Sequence, residues 1–268
     1  MHTITIYPPT SLKEYIQPIP GDRYGMQRLL YNGQHNYLLP YTEPQSIPPM
    51  EIRNSLLRLQ ERLPLGGLGE YEVLLLNAQI MEALDPASAM VDGQRFPGFI
   101  VLSGRIDASH EDILSHELTH ELLRTYVNQL EEQEFFNLID QLRGSELDPE
   151  WEKRPQERMA EYVSAAIWGE PVNEGMPPLS APVLERVKEW AQKQFGSQEK
   201  ARVVIDEQRV ITLQIGNIHA IVDGEEVLMD VAPVLVKDRT LASVRFICET
   251  LGYQVEWDEK SRTVSIHR

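Results

Sequence analysis

The sequence predicts an α+β chain in two parts, and three features carry that reading. Apolar residues recur at helical spacing through much of residues 50–195. Two short apolar runs, Val73-Leu74-Leu75-Leu76 and Phe99-Ile100-Val101-Leu102, have the length of buried strands, and glycines bracket the second. Beyond the stretch 196–202 the pattern changes to short alternating segments around one helical stripe.

Taken in order, residues 1–49 hold Pro8, Pro9, Pro18, Pro20, Pro40, Pro44, Pro48 and Pro49. Proline lacks a backbone donor, so this stretch is expected to be extended or irregular and to wrap a core. Ile52, Leu56, Leu59 and Leu63 predict a helix over 50–63, ended by Gly66-Gly67. Strands are expected at 70–76 and 98–104. A long helix follows, with Ser109 as N-cap and Asp112 three residues on, running to about Leu130. Phe135, Phe136, Ile139 and Leu142 mark another, and 144–154 reads as a polar loop. Pro155 suits the first turn of the next helix, which should stop near Trp168 at Gly169. Residues 180–195 form the last helix of this part, and 196–202 reads as a linker. The domains are therefore expected at 1–196 and 203–268. In the second, strands are expected at 210–215, 219–222, 254–257 and 263–267. A helix over 240–251 would make Cys248 a core residue.

Composition narrows the function. The formal net charge is −16, with −14 of it in 1–207 and −2 in 208–268. Such a chain repels phosphate backbones, which excludes nucleic acid as a partner. The acidic field would suit basic substrates, but it is first of all a solubility feature. Cys248 is the one cysteine, so no intramolecular disulfide forms. No stretch has the roughly 18 apolar residues of a membrane span. The start of the chain lacks the basic head and apolar centre of a signal peptide, so as written it reads as cytoplasmic.

The chemistry is concentrated in His116-Glu117-Leu118-Thr119-His120. Four residues apart on a helix, His116 and His120 share a face and can bind one zinc ion. Glu117 can then take the proton of a water beside that metal. Two histidines leave zinc short of a third protein ligand. Downstream, Glu157, Ala160, Glu161 and Ser164 share one helix face. Its small residues suit close approach to another helix. One acid could bind zinc while the other holds a ligand histidine.

This helix pair resembles the gluzincin metallopeptidases. Within them, Pro155-Gln156-Glu157-Arg158-Met159-Ala160-Glu161 is similar to the ligand helix of the lethal-factor catalytic domain, of the Pro-Pro endopeptidases and of the ImmA/IrrE-type enzymes. The resemblance spans roughly 70–170. It implies a zincin-like fold, with a small mixed sheet packed on helices, and peptide-bond hydrolysis. It assigns His116, His120 and Glu157 to zinc, Glu117 to the base, and Glu161 to orienting a ligand. The lethal-factor-like enzymes also place a carbonyl-binding tyrosine just before the ligand helix. Here 142–155 holds none. Tyr126 and Tyr162 are the remaining candidates, with packing the first account of each. The substrate backbone is expected on an edge strand near 98–104.

Residues 208–268 resemble the copper amine oxidase N-terminal-like, or stalk, domain. Val222-Asp223-Gly224, Ala232-Pro233, Arg239-Thr240-Leu241, Arg245-Phe246-Ile247 and Leu251-Gly252-Tyr253 through Asp258 carry the likeness. The histidines there, His219 and His267, make no copper-site pattern. The resemblance implies a spacer or binding module, a protein or cell-surface partner, and an exported location, against the missing signal. The second functional reading is thus an attachment protein whose zinc site is structural or silent.

Overall fold

A computed structural model describes residues 2–40, 48–81, 90–103, 110–196, 199–206, 211–222, 225–251 and 253–267. The chain divides into two compact units, Met1–Glu207 and Gln208–Arg268. Helices and sheets both occur, as the α+β reading expects. Among the described residues no helix is long and apolar enough to cross a membrane.

The proline-rich start is not irregular. Strand β1 (Thr3–Tyr7) alternates Thr3-Ile4-Thr5-Ile6-Tyr7 and buries Ile4 and Ile6. A 3-10 turn over Pro9–Tyr15 leads to β2 (Ile16–Pro18), β3 (Gln27–Tyr31) and β4 (Gln34–Pro40). Pro18 and Pro40 end their strands, where the missing donor matters least. Asn32-Gly33 closes the β3–β4 hairpin with both residues at positive φ, 45° and 74°, the conformation Asn-Gly tolerates best. Proline density outweighed these two signals in the sequence reading. Pro44 lies outside the described residues.

Helix α1 (Pro49–Arg62) is as expected. Strand β5 (Tyr71–Leu75) is followed by β6 (Ala78–Met81), β7 (Met90–Val91), β8 (Gly93–Phe96) and β9 (Phe99–Leu102). Then come α2 (His110–Tyr126), α3 (Gln129–Leu138), α4 (Pro155–Trp168), α5 (Ala181–Phe195) and β10 (Arg202–Ile205). Ser109 and Gly104 lie outside the described residues. Helix α2 stops before Leu130 because Asn128 caps the next helix: its side chain accepts from Leu130 N at 2.8 Å, and Glu131 accepts from Asn128 N at 2.7 Å.

Two five-stranded sheets result. The first runs β10-β1-β5-β9-β8, parallel except for antiparallel β8, and the second runs β2-β3-β4-β6-β7. Alternate residues of β5 and β9 point to opposite layers. Val73, Leu75, Ile100 and Leu102 pack with the helices, whereas Leu74, Phe99 and Val101 pack with the second sheet. This explains the unbroken apolar runs, since both faces of these strands are buried.

Strand β10 corrects the expected boundary. It pairs with β1 from Thr3↔Arg202 to Ile6↔Ile205. Just before it, Ala201 N donates to Gln60 Oε1 at 2.6 Å, and Gln60 Nε2 donates back to Ala201 O at 3.2 Å. Residues 199–206 thus complete the first unit, although they are too polar at the start to look structural. A chain ending at Phe195 is expected to lose that strand and leave Gln60, 1% exposed, without partners. The penalty should be about 3 kcal/mol or more, or roughly 6–12 °C of melting temperature, against a chain ending at Asp206. Thermal unfolding of the two chains checks this, and equal melting temperatures would restore the earlier boundary.

The second unit holds β11 (Ile211–Thr212), β12 (His219–Val222), β13 (Glu225–Leu228), β14 (Val234–Val236), β15 (Arg239–Leu241), α6 (Val244–Thr250), β16 (Gln254–Asp258) and β17 (Thr263–His267). Asp223, Gly224 and Gly252 lie outside the described residues. Helix α6 starts later than expected because Ser243 caps it, accepting from Phe246 N at 3.2 Å. Cys248 is half-buried rather than a core residue, since α6 carries no fully buried side chain.

Candidate metal centre

The helical repeat of α2 puts His116 and His120 one turn apart, with their Nε2 atoms 3.0 Å from each other. Helix α4 adds Glu157, whose Oε2 lies 3.0 Å from His120 Nε2 and 3.3 Å from His116 Nε2. Among the described residues these three form the cluster of side chains close enough together to hold a metal ion. Zinc bonded at about 2.0–2.1 Å in a tetrahedron separates its donors by roughly 3.3 Å, so the spacing and the nitrogen–oxygen donor set fit that ion.

Small residues make this approach geometrically accessible. Ser115 Oγ and Ser164 Oγ meet at 2.8 Å between α2 and α4, and Ala160 is fully buried beside them. Thr119 turns its hydroxyl inward onto Ser115 O at 2.8 Å. Larger side chains here would hold Glu157 away from His120. From the neighbouring face of α4, Arg158 donates to Leu142 O at 2.9 Å and to Gln141 Oε1 at 2.6 Å, and stacks over Phe136. That anchor fixes the helix start from which Glu157 projects.

Glu161, one turn on, behaves differently. Its Oε1 lies 3.5 Å from His116 Nδ1, the ring atom away from the cluster, and its Oε2 accepts from Asn173 N at 3.3 Å. Burial raises the Glu161 pKa, opposed by the His116 charge and the Asn173 amide. Burial also pushes Glu157 up, but hydrogen bonds from the two histidines outweigh it and hold the carboxyl down at about 2. For His116 burial disfavours the cation, yet Glu157, Glu117 and Glu161 together raise its pKa. Burial raises the Glu117 carboxyl, with both histidines pulling the other way.

The cluster opens into a cleft of about 650 Å³ between β7–β8, α2 and the segment after α4. Its carboxylates are Asp92, Asp112, Glu117, Glu157, Glu161 and Glu170, against Arg95. Burial and neighbouring Asp112 push Glu170 up to about 7.

Two residues of the cleft, Gly93 and Arg95, carried no recognised sequence signal. Gly93 passes directly over Ile113 and Glu117. Arg95 Nη1 donates to Glu121 Oε2 at 3.1 Å, and Arg124 donates to both oxygens of that buried carboxylate. The Pro97-Gly98 turn, with Gly98 at φ 87°, was the signal for a β8–β9 hairpin. The hairpin also moves the expected edge strand. Strand β9 is interior, between β5 and β8, and among the described residues β8 ends the sheet. Ser103 N donates to Asp92 O at 2.7 Å. Antiparallel alternation then turns the backbone groups of Gly93 and Arg95 to the open edge.

Neither tyrosine reaches the cleft. Tyr126 donates to Gly67 O at 2.8 Å and Tyr162 to Pro177 O at 2.7 Å. Packing and backbone anchoring account for both.

Residues 190–266 match the family described as Copper amine oxidase N-terminal domain, in keeping with the C-terminal resemblance. The match begins inside α5, where Trp190 and Phe195 are buried in the first unit's core, so it crosses the structural division. Comparison with curated proteins and with solved structures gives no match.

Proposed function

We propose that this chain is a zinc-dependent endopeptidase of gluzincin type. The observation carrying the proposal is the convergence of His116, His120 and Glu157 beside Glu117, in a cleft bordered by a strand that has no further strand beside it among the described residues. In this reading His116, His120 and Glu157 hold zinc. When bound, zinc would lower the pKa of a water and polarise a peptide carbonyl. Glu117 accepts the water proton and returns it to the leaving amine. Glu161 accepts from His116 Nδ1–H and so keeps Nε2 free as a ligand. The Gly93 and Arg95 backbone groups pair with an extended substrate segment.

The second reading, an attachment protein with a structural zinc site, draws on the family match over 190–266. Against it stands the donor count. Structural zinc is closed by four protein ligands, whereas three donors meet here among the described residues, facing a cleft. The C-terminal unit would serve in either case as a binding or spacer module.

His116→Ala and His120→Ala are each expected to lose zinc that the wild type holds at one ion per chain. Elemental analysis after gel filtration measures this, together with casein digestion with and without a chelator. A wild type free of metal removes the proposal. Bound zinc with no cleavage of any protein selects the attachment reading.

A further inference from the structure

We propose that Gly93 is a positioning residue that sets how closely edge strand β8 lies over the base Glu117; this rests on the peptidase reading above. A Cβ built on Gly93 would stand 2.5 Å from Ile113 Cγ2, 3.3 Å from Glu117 Cγ and 3.4 Å from Glu117 Oε1. The first distance is well inside van der Waals contact, so either Ile113 or the strand must move. Ile113 is β-branched and sits in a helix, where its χ1 is strongly restricted. The strand is therefore what yields. Gly93 does not have a positive φ, so its backbone conformation is open to any residue. Lack of space, and not of conformational freedom, is what demands glycine here.

The rest of the strand is pinned. Arg95 lies two residues on, about 6.6–6.8 Å along a strand. Glu121 lies four residues after Glu117, about 6 Å along a helix. Strand and helix thus run in step, with bare glycine at one contact and the Arg95–Glu121 pair at the next. With its far contact fixed, the displacement of β8 falls at the Gly93 end. A methyl there would lift the strand edge from the cluster and uncover the side of Glu117 that glycine now covers.

The test compares full-length wild type, Gly93→Ala, Ile113→Ala and the double variant, each loaded with zinc. Acetohydroxamate is the probe, because its hydroxyl proton needs the Glu117 carboxylate beside the metal as acceptor. Gly93→Ala is expected to keep one zinc per chain and to bind acetohydroxamate about 10–100-fold more weakly, the span for groups that orient a metal site. Removing the Ile113 branch makes room for the methyl, so the double variant should bind as Ile113→Ala does. On casein peptides kcat should fall with the same ranking. Unchanged acetohydroxamate affinity in Gly93→Ala overturns the proposal, as does a double variant no better than Gly93→Ala. If Gly93→Ala fails to fold, recovery of fold and affinity in the double variant upholds it, and an unfolded double variant overturns it. A wild type that binds zinc and acetohydroxamate but leaves casein intact removes the peptidase reading and leaves the positioning result standing. A wild type that takes up no zinc removes both.

Discussion

Glu117→Gln is expected to keep its zinc and its fold while hydrolysis falls by about 10²–10⁴-fold, the contribution of a positioned general base. The substitution preserves shape, so the packing of this side chain beneath Gly93 and beside Ile113 is retained. Burial raises the carboxyl's pKa, and the two histidines oppose that shift, an environment that strengthens it as a base. Glutamine presents an amide that cannot accept a proton at neutral pH. The two histidines and Glu157 converge without Glu117, so metal content should be unaffected. The measurement is casein-peptide turnover alongside elemental analysis of the same preparation. Near-normal turnover would show that the proton goes elsewhere. Lost zinc would place Glu117 among the ligands.

The motif helices were legible because their chemistry is local. His116 and His120 need only the helical repeat to share a face, and Pro155 and Gly169 bound α4 by their own conformational limits. Gly169 sits at φ 80° as a left-handed cap. Ala160 and Ser164 announced a close helix contact, but its partner Ser115 lay hidden beside the motif. The substrate side of the cleft was illegible for a physical reason. Gly93-Gln94-Arg95-Phe96 is an edge strand with one face on a cleft, so it lacks the apolar alternation of a half-buried strand. Arg95 and Glu121 look solvated in isolation, and only the hairpin brings them together. The N-terminal strands were obscured by prolines that stand at strand ends, and β10 by a polar approach that resembles a linker. Long-range pairing decides each of these, and a single sequence does not display it.

Glu157 and Glu161 should separate cleanly when each is replaced by alanine. Glu157 Oε2 lies within 3.0–3.3 Å of both Nε2 atoms, so Glu157→Ala removes one of three donors and the only charge-neutralising one. Tight zinc binding should vanish. Glu161 touches the outer nitrogen of His116 at 3.5 Å, long for a hydrogen bond, and shares its carboxylate with the Asn173 amide. Glu161→Ala leaves all three donors in place and removes the carboxylate beside His116 Nδ1. Its zinc affinity or activity should drop about 10–100-fold. A further distinction lies in the conservative variants. Glu161→Gln keeps an acceptor for His116 Nδ1–H and should recover most of the loss. Glu157→Gln offers a neutral and weaker oxygen to the metal and should recover little. Competition titration with a chromogenic chelator ranks all four proteins on one scale. A larger loss at Glu161 than at Glu157 would show that α4 meets the metal one turn later than the geometry places it. Equal and negligible losses would mean that the third ligand comes from outside this helix.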